Sequence, residues 1–350
     1  MRRGPPAQDW GFAPAPGEVA LTLFYAIAAI IVGFVAVVWG ADRFVYAAAG
    51  LAANWGVSRI VIGLTVVAFG TSAPEMLVSA MAALAGSGEM GIGNAVGSNV
   101  TNVTLVLGSA AIVGTLRVHS RLLRREIPIL FAAMAVSWWF LQDGEFTRVE
   151  GGLLFAGLLG MVLWLGAQGS REASAGTEES VLAFEDDDIP DALPTKRAVV
   201  LFIVGLVCLL LGSRVLVWGG VELAVSLGVS ELVIGLTLVA LGTSLPELAA
   251  SVAASRRGEH DIAVGNVVGS NIFNILGVLT LPGIIAPGAV SRAVVVRDYP
   301  IMLGATLLLL FMAVNERNAI GYKRGAALVA VFVLYFVLLF VQPGFIQVTP

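Results

Sequence analysis

Long apolar segments, separated by short polar ones, recur along the whole chain. Each is close to the ~20 residues that an α-helix needs to cross the hydrocarbon core of a bilayer. The pattern therefore predicts an all-α integral membrane protein with about ten transmembrane helices. In chain order, the predicted spans are 19–40, 59–85, 91–114, 123–141, 149–168, 197–219, 231–255, 262–286, 294–314 and 321–342.

One long polar stretch divides these spans into two groups of five. It carries the acidic run Glu185–Asp188, and a block of like charges is typical of a solvated linker. The acidic DDxxD pattern, which ends at Asp191, could in another setting hold Mg²⁺ and a diphosphate, but it occurs once and in a loop. The predicted organisation is a tail at 1–18, a five-helix unit at 19–168, an acidic linker at 169–196, a second five-helix unit at 197–342 and a tail at 343–350.

The two units are internal repeats. The segment GLTVVAFGTSAPE at 63–75 returns as GLTLVALGTSLPE at 235–247, and GNAVGSNVTN at 93–102 returns as GNVVGSNIFN at 265–274. Both pairs have the same offset of 172 residues. Because each unit contains an odd number of spans, the second enters the membrane from the opposite side, which is the inverted-repeat plan of many secondary transporters.

Loop charges orient the predicted spans. Positive residues cluster in three loops that this topology puts on one face, and the positive-inside rule makes that face cytoplasmic. The tails are then extracellular, the acidic linker is cytoplasmic, and the plasma membrane is the predicted location. The positive residues of these loops are Arg117, Arg121, Arg124, Arg125, Arg256, Arg257, Arg317, Lys323 and Arg324.

Composition narrows the range of partners and chemistries. Charged residues make up 13% of the 350 positions, against about a quarter in soluble domains. The net charge of −4, without a basic and aromatic cluster, argues against nucleic acid as a partner and leaves the lipid bilayer as the expected surroundings. Cys208 is the only cysteine, so the sequence predicts neither a disulfide framework nor a cysteine metal site.

Glu75 and Glu247 end the duplicated motif and lie deep in predicted spans. A membrane-embedded carboxylate is costly unless it faces a partner or water, so a matched pair indicates an ion site. The preceding Pro74 and Pro246 lack an N–H, which interrupts each helix and frees main-chain carbonyls as cation ligands. Hydroxyl groups three or four residues from each glutamate share its helix face, namely those of Ser72, Ser79, Ser244 and Ser251.

The following spans add further oxygen donors at steps of four residues. These are Asn94, Ser98 and Asn102, matched by Asn266, Ser270 and Asn274. An oxygen-only set with two carboxylates suits a hard cation such as Ca²⁺, and it lacks the sulfur and imidazole that suit zinc or copper. Small residues between them predict close helix packing, at Gly93, Gly97, Gly265 and Gly269.

Asp42 and Arg214 occupy equivalent repeat positions near the ends of the first and sixth spans. Anchoring of each side chain at the membrane interface is the first interpretation. A charge pair that braces the two helices is the alternative.

The motifs GTSAPE and GTSLPE, each followed by GN-x-V-GSN, resemble the two alpha repeats of the sodium/calcium exchanger family within the cation/calcium antiporters. The resemblance implies exchange of Na⁺ for Ca²⁺ by alternating access. No cofactor is expected, and the sequence does not set the oligomeric state, although a monomer can suffice. It implies a calcium site at Glu75, Glu247 and the carbonyls of Thr71 and Thr243. It implies sodium sites at Ser72, Ser98, Ser244 and Ser270 with the carbonyls of Ala68 and Ala240, and a central position lined by Asn102 and Asn274.

Other functions remain as alternatives at this point. Asn274 stands where the potassium-dependent branch has an aspartate, which argues against K⁺ transport. A Ca²⁺/H⁺ or other divalent cation/proton antiporter is the main alternative, although the two histidines, His119 and His260, lie in predicted loops. An intramembrane hydrolase would need a nucleophile with a base or a histidine metal site. A passive channel would not need a counter-ion.

Overall fold

The protein is described by a computed structural model that covers residues 16–175, 193–227, 240–314 and 319–341. These residues are mostly helical. The helices are α1 (Pro16–Trp55), α2 (Arg59–Thr71), α3 (Ala73–Leu84), α4 (Gly88–Val113), α5 (Ser120–Arg124), α6 (Glu126–Leu141), α7 (Arg148–Ala175), α8 (Thr195–Ser226), α9 (Ala240–Thr243), α10 (Leu245–Arg256), α11 (His260–Ile285), α12 (Val294–Val314) and α13 (Tyr322–Val341).

Within the described ranges, seven helices are long and apolar enough to cross a membrane. They are α1, α4, α7, α8, α11, α12 and α13. Three predicted spans are not among the seven, for separate reasons. The span at 59–85 is the bent pair α2 and α3, α6 has only 16 residues, and the span at 231–255 lies partly outside the described residues.

Helix α1 is longer than the predicted span at 19–40, because it continues for another 15 residues to Trp55. The added turns carry buried side chains such as Phe44 and Val45. An apolar stripe that packs on the core therefore extends the helix beyond the length needed for crossing a bilayer.

Helices α1 and α8 are in close contact along most of their lengths. Glycines allow this approach, since a Cβ atom on Gly40 would lie 2.6 Å from the Leu209 nitrogen and one on Gly205 would lie 2.6 Å from the Phe44 nitrogen. The outer faces of both helices carry exposed apolar side chains, including Phe34 and Ile203. The pair therefore forms a lipid-facing unit beside the core.

Helices α4 and α11 form the centre of the molecule. In an apolar stretch of 18 residues of α11, every residue is buried, whereas in such a stretch of α1 only 17% of the residues are buried. In the described part of the chain, four two-residue strands join the two halves, β1 (Leu116–Arg117), β2 (Glu145–Phe146), β3 (Gly288–Ala289) and β4 (Ala319–Ile320). They form two antiparallel ribbons, β1 with β4 and β2 with β3.

The possible charge pair between Asp42 and Arg214 is not formed, so that alternative is wrong. The Asp42 carboxylate contacts Arg257, whose Nη2 lies 2.6 Å from Oδ1. Arg257 also lies over the Tyr46 ring, 5.1 Å from its centroid. Asp42 thus connects α1 to the loop between α10 and α11, and Arg214 is exposed on α8. The two acidic patterns of the linker, Glu185–Asp188 and DDxxD, lie outside the described residues.

Candidate functional site

Two interrupted helices position the glutamates. Helices α2 and α3 meet at Ser72 with a bend of 43°, and α9 and α10 meet at Ser244. Both serines leave helical geometry with ψ near zero, at 2° and 4°. Pro74 and Pro246 lie in the first turn of the helix that follows each break, where a missing N–H is tolerated. The predicted interruption is therefore confirmed in both copies.

The serine at each break contacts the glutamate of the other half. The Ser72 hydroxyl donates to Glu247 Oε1 at 3.1 Å, and the Ser244 hydroxyl donates to Glu75 Oε1 at 3.4 Å. Glu75 is 1% exposed and Glu247 is fully buried. The two breaks thus pack against each other and bring both carboxylates into one buried site.

Each glutamate leaves one oxygen without a hydrogen-bond donor in the described part of the chain, Glu75 Oε2 and Glu247 Oε2. A buried carboxylate oxygen in this condition is costly, and buried polar groups nearly always have a partner. A cation between the two carboxylates would remove that cost. The residues present therefore fit a cation as the substrate.

Asn94 and Asn266 hold the glutamate helices in place. Asn94 Nδ2 donates to the Glu75 carbonyl at 3.1 Å and to Ser79 Oγ at 3.0 Å. Asn266 Nδ2 lies 3.5 Å from the Glu247 carbonyl and donates to Ser251 Oγ at 2.9 Å. These amides, together with Ser79 and Ser251, thus connect neighbouring helices, and the ion-site role predicted from their spacing stays a prediction.

Thr71 and Ala68 lie in the last turn before the first break. The Thr71 hydroxyl bonds to Asn266 Oδ1 at 3.1 Å and approaches the Ala68 carbonyl at 3.3 Å. That carbonyl also accepts the Ser72 N–H at 2.9 Å. In the second copy, Thr243 is half-buried at the end of α9, and Ala240 begins the same short helix. The four predicted carbonyl ligands thus all lie in the last helical turn before each break, Ala68–Thr71 and Ala240–Thr243.

Asn102 and Asn274 are buried in α4 and α11, each 1% exposed. Neither side-chain amide has a hydrogen-bond partner within the described ranges. Each asparagine begins a π-helical turn, Asn102–Val106 and Asn274–Val278, and such turns are frequent at functional sites. Ser98 and Ser270 lie one helical turn earlier and are also buried. The structure therefore puts the predicted Ser and Asn stripe into the interior.

Two polar residues of the interior were absent from the predicted set. Asn99 and Asn271 are each 1% exposed, and Asn271 Nδ2 lies 3.5 Å from the Asn99 carbonyl. The repeated sequence GSN contains both, and it was the available signal. They lie one residue from Ser98 and Ser270, off the predicted stripe, which is why helical spacing missed them.

Gly265 and Gly269 allow α11 to approach α2 closely. A Cβ atom on Gly269 would lie 2.6 Å from the Leu64 carbonyl oxygen, and one on Gly265 would lie 3.1 Å from that of Ile60. The packing prediction is confirmed for these two glycines. For Gly93 and Gly97 it stays a prediction, since residues 235–239, which correspond in the repeat to the α2 segment Gly63–Val67, lie outside the described residues.

The site as a whole contains carboxylate, hydroxyl, amide and carbonyl oxygens. Within the described ranges, no group of three or more His, Cys, Asp or Glu side chains could hold a metal, so the two glutamates supply the negative charge. Interrupted helices in a helical membrane protein, with paired carboxylates between them, define a class of ion transporters.

The sequence profile of the sodium/calcium exchanger protein family matches residues 25–166 and again residues 197–341. The chain therefore belongs to the sodium/calcium exchanger family, as its motifs predicted. It is a multi-pass membrane protein of an antiporter family.

Known proteins resemble the chain over most of its length. It is 42% identical to the putative antiporter CaxA of Alkalimonas amylolytica, covering 89% of this chain and 97% of that protein. It is 32% identical to the sodium/calcium exchanger MaX1 of Methanosarcina acetivorans, with the same coverage. The solved structure of the sodium-calcium exchanger NCX_Mj superimposes with a TM-score of 0.77 at 30% identity, covering 90% of this chain and 99% of that one.

Proposed function

We propose that this protein is a secondary active antiporter that exchanges Na⁺ for Ca²⁺ across the plasma membrane and extrudes Ca²⁺. The observation that carries the proposal is the reciprocal pair of contacts at the centre, Ser72 with Glu247 and Ser244 with Glu75. One buried site then contains both carboxylates. Their two charges are balanced by one Ca²⁺ or by two Na⁺, so the ions compete for the same oxygens.

Competition at one site leads to exchange when the site opens to one side at a time. The proposed ligands for Ca²⁺ are Glu75, Glu247 and the carbonyls of Thr71 and Thr243. Carboxylates, carbonyls and neutral side chains can together supply the roughly six to eight oxygens that Ca²⁺ prefers. The flanking Na⁺ ligands proposed are Ser72, Ser98, Ser244, Ser270 and the carbonyls of Ala68 and Ala240, with Asn102 and Asn274 lining the central position.

We further propose the complete arrangement of about ten spans in two inverted repeats. The five-helix units are 19–168 and 197–342, with a cytoplasmic linker at 169–196 and extracellular tails at 1–18 and 343–350. Two separate matches to one family profile support the duplication, as do strand ribbons that each join the two halves. The glycine-packed pair α1 and α8 would slide across the core as a unit to change the accessible side.

Measurement of Ca²⁺ flux into proteoliposomes tests whether Na⁺ is the coupling ion, as we propose. Proteoliposomes loaded with Na⁺ are placed in Na⁺-free medium that contains ⁴⁵Ca²⁺. Uptake should require internal Na⁺ and should collapse when external Na⁺ equals it. Uptake that ignores Na⁺ and follows a pH gradient would instead assign proton coupling. Uptake that needs no counter-ion at all would mean a channel.

A further inference from the structure

A cavity of about 590 Å³ lies between the α1 and α8 helices, away from the glutamates. On the α1 side it is lined by Trp39, Arg43 and Tyr46, which are spaced four and three residues apart and so share one helix face. On the α8 side it is lined by Arg197 and Leu201, one helical turn apart. Two arginines from different helices thus converge on one concave surface with aromatic walls.

The two arginines are available to an anion. Within the described ranges, neither Arg43 nor Arg197 forms an ion pair with a carboxylate. The acidic neighbour, Asp42, is engaged by Arg257 at 2.6 Å. The Arg43 guanidinium lies 6.0 Å from the centroid of the Trp39 ring, which orients it toward the aromatic wall. The cavity therefore combines two positive charges with no compensating negative charge from the described chain.

The position of the cavity indicates which anion fits. Exposed apolar side chains cover the adjoining turns of both helices, for example Val35 and Val38 on α1 and Ile203 and Val204 on α8. Arg43 and Arg197 lie where these lipid-facing surfaces end. Trp39 is partly exposed at the same level, as expected for an aromatic residue at a membrane interface. Acyl chains could thus lie along the apolar surface while a headgroup reaches the guanidinium groups.

We propose that this cavity binds the phosphate headgroup of an anionic phospholipid. Guanidinium groups bind phosphate oxygens through paired hydrogen bonds, and basic pockets between transmembrane helices are suited to anionic headgroups. A free phosphate offers the same oxygens, but it has no apolar part to cover the aromatic wall and the adjoining lipid-facing surface. The site is separate from the ion site and does not rest on the proposed transport function.

The test counts lipids bound to the purified full-length protein by native mass spectrometry during titration with phosphatidylglycerol or phosphatidylcholine. The variant is Arg43→Gln with Arg197→Gln. The matched control is Arg117→Gln with Arg124→Gln, which removes the same charge from two exposed arginines. Phosphatidylglycerol affinity should fall about 30-fold in the cavity variant and stay within about twofold in the control. Phosphatidylcholine binding should not change, and circular dichroism should show that both variants are folded.

Four results would overturn the proposal. Unchanged phosphatidylglycerol binding in the cavity variant would mean that these arginines do not bind the headgroup. An equal loss in the control would mean that total charge, and not this cavity, attracts the lipid. Complete displacement by excess inorganic phosphate would identify a site for a soluble anion. Binding that emerges only after the run Glu185–Asp188 is neutralised would make the protein's own acidic linker the occupant.

Discussion

The carboxylates at the centre of the molecule differ in their partners from those nearer its ends. Glu75 and Glu247 accept hydrogen bonds from serine hydroxyls. By contrast, Glu259 Oε2 lies 2.9 Å from Arg59, and the Asp298 carboxylate receives two hydrogen bonds from Arg297, at 2.7 and 2.9 Å. A buried charge without an opposite charge is costly. The peripheral acids thus have their counter-charges in the chain, and the central pair is left for an ion that comes and goes.

The largest expected effect is on transport when a central charge is removed. Glu75→Gln or Glu247→Gln should each lower Na⁺-dependent ⁴⁵Ca²⁺ uptake by about 100-fold or more, because breaking a buried ion pair costs about 3–5 kcal/mol. The control is Glu89→Gln, which neutralises an exposed glutamate of α4 and should leave uptake near normal. Near-normal uptake in either central variant would remove that glutamate from the site.

The second expected effect is on stability when a peripheral pair is broken. Asp298→Asn removes the carboxylate that the half-buried Arg297 contacts and should lower the free energy of unfolding by about 1–3 kcal/mol, the usual worth of hydrogen bonds to charged groups. Chemical denaturation in detergent measures this change. The apparent Ca²⁺ affinity of the folded fraction should stay within about twofold of normal. A large loss of Ca²⁺ affinity at unchanged stability would contradict the distinction between the two kinds of carboxylate.

Removing the two central carboxylates should raise the stability of the protein when no substrate cation is present, whereas removing a peripheral one lowers it. In buffer free of Na⁺ and Ca²⁺, the variant with both Glu75→Gln and Glu247→Gln should unfold at a higher temperature. Its free energy of unfolding should be higher by about 1–3 kcal/mol, because neutral amides replace two buried carboxylates that each have an oxygen without a hydrogen-bond donor. Added Ca²⁺ should stabilise the normal protein and not the variant. A variant less stable than the normal protein in cation-free buffer would count against this account.

The smallest effect concerns pH and Glu259, which lies in the loop before α11. Burial raises the pKa of this carboxyl above 4.5, and Arg59 partly opposes the shift. The folded protein therefore holds the Glu259 proton to higher pH than the unfolded chain does. Its contribution to the free energy of unfolding should decline as pH rises from about 4.5 through the raised pKa. Subtracting the pH profile of Glu259→Gln isolates this slope, and a contribution that rises over the same range would give the wrong sign.

The duplicated motifs predicted which two carboxylates the structure brings together at its centre. A glutamate deep in an apolar segment is costly unless it faces a partner or water. A second glutamate at the equivalent repeat position therefore predicts that the two carboxylates share an ion site. Pro74 and Pro246 predicted the helix breaks because proline lacks an N–H. Seven of the ten predicted spans correspond to helices of membrane-crossing length within the described residues, because the thickness of the bilayer sets the apolar length of a span.

Other features depend on contacts between distant parts of the chain and were not predictable. The Asp42–Arg257 contact joins residues 215 positions apart, and no local pattern favours it over Arg214. The sequences of the π-helical turns that begin at Asn102 and Asn274 are also compatible with ordinary α-helix, so the turns could not be predicted. Helix α1 continues to Trp55 because its last turns pack on the core, and apolar length alone does not indicate that packing.

Equilibrium binding of ⁴⁵Ca²⁺ to the purified protein tests the central claim most directly. Na⁺ is titrated against bound Ca²⁺ in the normal protein, in Glu75→Gln, in Glu247→Gln and in the peripheral control Glu259→Gln. The account predicts Ca²⁺ that Na⁺ displaces completely from the normal protein and from Glu259→Gln, and loss of this binding in both central variants. Ca²⁺ binding that Na⁺ does not displace, or that survives in either central variant, would contradict it.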